Sequence, residues 1–155
     1  MESREVSFLV SKLASAVLDT NVIVYDTFED SLYHEMAREL LDSLDMWVLP
    51  LIVLYEYVWL MKELGVNLED ISAKVYEYAW DPKSRVTSGG KDAVRWALAA
   101  LMEERLSASR FNDKVVLSIA EREGIPLATF DRGLRVQAHR VNVEVLPSSI
   151  DVHES

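Results

Sequence analysis

RFNDKVVLSIAEREGIPLATFDRGL, residues 110–134, reads as one complete helix-to-strand unit with an acid near each end. A helix fits from about Asn112 to Glu123. Gly124 then closes it, because glycine takes the left-handed backbone that ends helices without a steric penalty. Ile125-Pro-Leu-Ala-Thr-Phe130 follows as a strand and stops at Asp131. Asp113 thus stands at the start of the helix and Asp131 at the end of the strand. Short of chance, such spacing brings both carboxylates to one edge of a sheet.

The same grammar extends in both directions. Ser15–Asp19 is a short buried strand with an abrupt polar end at Asp19-Thr20-Asn21. Residues 32–44 place Leu32, Met36, Leu40 and Leu44 at helical spacing. Met46–Leu49 is a second strand, and Pro50 suits the first turn of a helix running to Glu63 and Leu64, where Gly65 ends it. Asn67 caps a further helix, which must stop before Asp81-Pro82. Arg85–Thr87 fits a third strand, residues 91–108 a long helix, Gly133–Ala138 a short one, and Val141–Leu146 a fifth strand halted by Pro147. Strands alternating with helices predict an α/β domain with a parallel sheet covered on both faces. No internal repeat, linker or low-complexity run interrupts it.

The composition narrows the chemistry. A chain of 155 residues, half of them apolar, suffices for one domain with a real core. There is no cysteine, which excludes disulfides, thiolate metal sites and thiol nucleophiles, and the three histidines are too scattered for a zinc motif. The N-terminal MESREVSFLVSKLAS has no clean hydrophobic core, and the apolar run Met46–Met61 is too short to span a bilayer and carries Pro50 and Glu56. A soluble cytoplasmic protein without membrane association is expected. The net charge of −10 argues at first against a nucleic-acid partner. Its distribution is uneven, however: residues 1–82 carry 5 basic and 16 acidic side chains, whereas residues 83–140 carry 11 and 7.

Glu56 sits within VLPLIVLYEYVWLM, residues 48–61, a stretch otherwise built for burial. A buried carboxylate needs a cationic partner, a proton or a metal ion. Ligands of open parallel sheets collect at the carboxyl ends of strands, and Asp19, Asp113 and Asp131 are all read there, with Glu56 in the second turn after another strand. An all-carboxylate, cysteine-free site suits hard cations, Mg²⁺ or Mn²⁺. Metal ions so held activate water and neutralise charge in phosphodiester hydrolysis. Each acid also has a plainer reading: Asp19 and Asp131 as turn or cap residues, Asp113 as a helix cap, Glu56 as the buried partner of an arginine.

AVLDTNVIVY, LIVLYEYVWLM, the 110–134 block and the closing VNVEVLP together resemble a PIN-domain protein, and in particular the small VapC-type toxins, from about Ala16 to Pro147. The resemblance implies a three-layer α/β/α fold with a five-stranded parallel sheet, spanning residues 16–150 between an N-terminal extension, 1–15, and a tail, 151–155. It implies that Asp19, Glu56, Asp113 and Asp131 are the catalytic, metal-binding quartet of an endoribonuclease using Mg²⁺ or Mn²⁺. Thr20, Asn21 and Thr129 match polar positions that hold a carboxylate or ligand in place. Arg110, Lys114 and Arg132 flank the acids and are candidates for steering RNA phosphates, though each is equally a solvated surface charge. A cognate antitoxin and a homodimer follow from the family alone, and the aromatic residues Tyr55, Tyr57, Trp59, Tyr76, Tyr78 and Trp80 are candidate surface for either.

Rival readings remain distinct. A haloacid-dehalogenase-type phosphatase needs a second Asp two residues after the first, where this chain has Asn21. A receiver domain needs a phosphate-contacting lysine after a late strand, and none stands out. A DNA- or RNA-processing nuclease outside any toxin system, and a binding module with a structural metal, share the same acids.

Overall fold

A computed structural model describes residues 13–151. Strand β1, Ser15–Leu18, is the middle of the sheet; Ala16, Val17 and Leu18 have no exposed surface, as small apolar residues covered on both faces require. It pairs in parallel with β2, Met46–Pro50, on one side and β4, Leu127–Ala128, on the other. Beyond β2 lies β3, Ser84–Thr87, and beyond β4 lies β5, Val145–Leu146, giving the order β3-β2-β1-β4-β5 with every pair parallel. Seven α-helices among the described residues flank this sheet, which is the expected α/β architecture.

The order fixes where a site can form. From β1 the chain steps outward to β2 and β3, then returns to β4 on the opposite flank of β1 and continues to β5. Connections therefore leave β1 and β4 in opposite directions, and a crevice opens between their carboxyl ends. Register completes the placement: Leu18 is opposite Ala128, and the Asp19 N–H donates to the Ala128 carbonyl at 3.0 Å. Asp19 thus lies beside Thr129.

One helix is absent from the sequence reading. Helix α1, Thr20–Thr27, is rich in β-branched residues, which are weak helix formers. It forms because Asp19 caps it, with the Thr20 N–H on Asp19 Oδ1 at 2.8 Å, and because Val22 and Ile23 are fully buried. Tertiary burial overrides propensity here. Helix α2 is His34–Ser43, within the expected 32–44. Helix α3, Leu51–Glu63, follows β2 with Pro50 as its N-cap rather than in its first turn. Helix α4, Leu68–Ala79, is capped by Asn67 as anticipated, its side chain accepting from the Asp70 N–H at 2.9 Å.

The long helix expected over 91–108 is shorter. Helix α5, Gly90–Glu104, stops where Arg105 adopts a left-handed conformation (φ 56°). A 3₁₀ turn, Ala108–Arg110, then redirects the chain into helix α6, Phe111–Glu123, so that Asp113 falls in its first turn. Gly124, at φ 66°, closes α6. Paired strand structure in β4 and β5 covers only part of the expected 125–130 and 141–146, although Pro126, Thr129 and Glu144 still exchange backbone hydrogen bonds with the neighbouring strands. Helix α7, Arg132–Arg140, is longer than the expected 133–138.

The aromatic residues divide sharply. Tyr57 and Tyr78 belong to the core, their hydroxyls joined to Thr27 at 2.8 and 3.1 Å, and are withdrawn from any docking surface. Tyr55, Trp59, Tyr76 and Trp80 are exposed. Among the described residues no helix is long and apolar enough to cross a membrane. Of the expected N-terminal extension, residues 1–12 lie outside the described residues, as do 152–155 of the tail; Ser15 already belongs to β1.

Candidate active site

Asp19 ends the central strand at 6% exposure, and each of its oxygens is held. Oδ1 accepts from the Thr20 N–H; Oδ2 accepts from the Thr129 hydroxyl at 2.7 Å and from Asn21 Nδ2 at 3.2 Å. Thr129 is completely buried, so its hydroxyl has no water to exchange with, and it also receives Asn21 Nδ2 at 3.2 Å and the Asp131 N–H at 3.1 Å. Asn21 Oδ1 in turn accepts the Phe130 N–H at 3.0 Å. Asn21, read in the sequence as holding a carboxylate, and Thr129, read as a hydroxyl for a ligand or water, both donate to Asp19 Oδ2.

Asp131 caps α7, its Oδ1 accepting from the Leu134 N–H at 3.0 Å. Asp19 and Asp131 therefore both serve as helix caps, as their plainer readings hold, and each is nevertheless electrostatically coupled to the rest of the cluster. Asp113 is different. It lies in the first turn of α6 but the N-cap is Arg110, so capping does not explain it.

Four carboxylates repel one another across this edge. Burial pushes the Asp19 carboxyl up to about 6, against the pull of the Thr129 and Thr20 hydrogen bonds, and the charges of Asp113 and Asp131 raise it further. Burial also pushes Glu56 up to about 7, with the charges of Asp19 and Asp113 adding to the rise. Asp113 is raised by burial and by Asp131, with Arg110 and Lys114 opposing. Hence Asp19, Glu56 and Asp113 each sense at least one other acid of the cluster. Among the described residues no arginine clasps Glu56; its polar neighbours are Thr20 and Asn112, whose side chains favour its charged form. The Thr20 hydroxyl is buried and makes no hydrogen bond of full geometry, although it lies close enough to the Glu56 carboxyl to stabilise charge there. Asn112 was not singled out in the sequence, where only its position before Asp113 offered a signal.

The three basic candidates have separate fates. Arg110 is exposed, close enough to Asp113 to lower its pKa, and its Nη1 is 3.6 Å from where a Cβ on Gly133 would lie. Arg132 is exposed and 3.6 Å from Asp151. Lys114 corrects the sequence reading: it is 2% exposed, and its ammonium is paired with Glu104 at the end of α5. A side chain so buried and so paired is not placed to meet a phosphate.

Among the described residues no three His, Asp or Glu side chains are already drawn tightly enough together to enclose an ion. The donor set nevertheless fits a hard divalent cation: it is all oxygen, burial and neighbouring negative charge raise the pKa of Asp19, Glu56 and Asp113, and it runs from buried Asp19 through half-buried Glu56 and Asp113 to exposed Asp131.

The profile of the PIN domain family matches residues 16–139, which include Asp19, Glu56, Asp113 and Asp131. The chain belongs to the PIN domain family. This PIN domain is similar in fold to VapC20 of Mycobacterium tuberculosis, a sarcin–ricin-loop-cleaving toxin, with a TM-score of 0.67 at 19% identity over 79% of this chain and 94% of that one. It is similar to a chain of VapBC2 from Rickettsia felis, solved with a promoter DNA fragment, with a TM-score of 0.61 at 18% identity over 84% and 96%. A chain of a toxin–antitoxin complex from Klebsiella pneumoniae gives a TM-score of 0.57 at 17% identity over 90% and 99%. No curated protein sequence matches the PIN domain described here. At these identities the likeness establishes a shared fold.

Proposed function

We propose that this PIN domain is a metal-dependent endoribonuclease, and that it acts as the toxin of a toxin–antitoxin pair. What supports the nuclease reading is that Asp19, Glu56 and Asp113 are raised in pKa by burial and by the charges of neighbouring acids, Asp131 among them, with no arginine on Glu56 among the described residues. Asp19, Asp113 and Asp131 would hold Mg²⁺ or Mn²⁺, with Glu56 beside them. The ion supplies charge to oppose that of the phosphate and lowers the pKa of bound water. Thr129 and Asn21 keep Asp19 aimed. Glu56, with a pKa near neutrality, is matched to accept a proton at physiological pH. Exposed Arg110 beside Asp113 meets the incoming phosphate backbone.

The toxin role is supported by fold likeness to VapC20 and to chains of two toxin–antitoxin assemblies. An antitoxin partner and a homodimer belong to the same proposal, with exposed Tyr55, Trp59, Tyr76 and Trp80 as available surface. The test is incubation with structured RNA, single-stranded DNA and a chromogenic phosphomonoester, with Mg²⁺, Mn²⁺ or EDTA, beside Asp19→Asn. Cutting of RNA that needs the metal and vanishes in Asp19→Asn is expected. Metal binding without cutting of any substrate would overturn the nuclease reading in favour of a binding module.

A further inference from the structure

We propose that Arg135 is a positioning residue of the candidate site, locking the Thr129–Phe130 peptide and thereby the hydrogen bonds that aim Asp19. Its consequence for metal binding rests on the nuclease reading above; its consequence for the hydrogen bonds does not.

Paired β structure in β4 stops at Ala128, so the Thr129 carbonyl has no strand partner. Arg135, in the first turns of α7, supplies one. Its Nη1 donates to the Thr129 carbonyl at 2.9 Å and its Nη2 to the Pro147 carbonyl at 2.6 Å, tying the ends of β4 and β5 together. Only a planar guanidinium offers two diverging donors at fixed spacing; an ammonium at the same place reaches one carbonyl at a time.

The peptide that Arg135 grips by its oxygen is gripped by its other face at Asn21. The Phe130 N–H, in the same peptide unit as the Thr129 carbonyl, donates to Asn21 Oδ1. A carboxamide has one acceptor end and one donor end. With Oδ1 committed to Phe130, Nδ2 must face Asp19 Oδ2 and Thr129 Oγ1, each at 3.2 Å. The Phe130 N–H and the accepting Asp19 carboxylate thus hold Asn21 from both ends in one orientation, its donor toward the central acid. Releasing the Thr129 carbonyl frees the peptide plane to rotate, removes the anchor for Asn21 Oδ1, and loosens the hydroxyl of Thr129 in the same step. Arg135 touches no carboxylate of the quartet in these hydrogen bonds, which is why nothing in the sequence marks it.

The test uses the full chain, without metal, as wild type, Arg135→Gln, Arg135→Lys and Ala138→Gly; the last weakens the same helix at a buried position away from the peptide. Amide NMR is read at the Phe130 N–H and the Asn21 side-chain NH₂. Arg135→Gln is expected to speed Phe130 exchange at least tenfold and to shift the Asn21 NH₂ signals, Arg135→Lys to show part of both, and Ala138→Gly neither despite a lower melting temperature. A Mn²⁺ titration of the same proteins should show binding weakened roughly tenfold or more in Arg135→Gln and unchanged in Ala138→Gly. Wild-type Phe130 exchange and Asn21 signals in Arg135→Gln would overturn the proposal. Should Arg135→Gln fail to fold, the Lys variant decides in the same way, since it cannot hold both carbonyls. Should wild type bind no Mn²⁺, the metal-site reading fails by itself while the amide signals still judge Arg135.

Discussion

Replacing Glu56 by Gln should make the metal-free protein more stable at pH 8 and leave it unchanged at pH 4.5. In the folded chain the Glu56 carboxyl is raised from 4.5 to about 7 by burial and by the charges of Asp19 and Asp113. The native state therefore holds this proton more tightly than the unfolded chain does. Relative to a permanently neutral side chain, wild type loses nothing below about pH 4.5, loses stability as pH rises through 7, and carries the full penalty above it. At ~1.36 kcal/mol per pKa unit the shift corresponds to an upper bound of about 3.4 kcal/mol. One side of Glu56 faces solvent, and screening there lowers that figure to roughly 1.5 kcal/mol. For a domain of this length the gain amounts to roughly 3–6 °C in melting temperature. Gln preserves the shape and can still bond Thr20 and Asn112. The assay is thermal melting of both proteins in EDTA at pH 4.5 and 8, repeated with saturating Mn²⁺, where the order should reverse because the ion uses the charge that Gln lacks. A Gln variant melting below wild type in EDTA at pH 8, or the same gap at both pH values, would refute the argument that uncompensated charge is stored at Glu56.

The metal itself should stabilise the wild type: at a hundred times its dissociation constant, Mn²⁺ adds about 2.7 kcal/mol, or roughly 5–10 °C, measured by the same melts. Thr129→Val removes the 2.7 Å hydrogen bond to Asp19 within a fully buried site, so a 10- to 100-fold loss of Mn²⁺ affinity, read by titration, is expected with no change in the RNA cleavage pattern. Arg110→Gln should lower the salt dependence of RNA binding by about one phosphate contact, a log–log slope change of ~0.7 for a single strand. Lys114→Met should leave that slope untouched, because its ammonium is committed to Glu104; an equal effect of the two variants would undo the distinction drawn between them.

Much was legible without coordinates because it is local. The apolar runs ending at Asp19 and Asp131, the cap at Asn67 and the stop at Gly124 are each decided by residues a few positions apart, and alternation of strand and helix was enough to name a parallel sheet. The four acids could be named as candidates on the same ground, since strand ends and a lone glutamate in an apolar stretch are visible in one dimension. What only tertiary structure decided is everything that depends on neighbours distant in the chain. Helix α1 forms against its own propensities because the core buries Val22 and Ile23. Lys114 and Arg110 look alike in sequence, yet Lys114, within α6, points inward to Glu104 of α5, while Arg110, in the 3₁₀ turn before α6, meets solvent; only the packing of α6 against α5 decides this. The raised pKa values of Asp19 and Glu56 exist only once β1, α3 and α6 converge, since desolvation and Coulomb repulsion act through space and not along the chain.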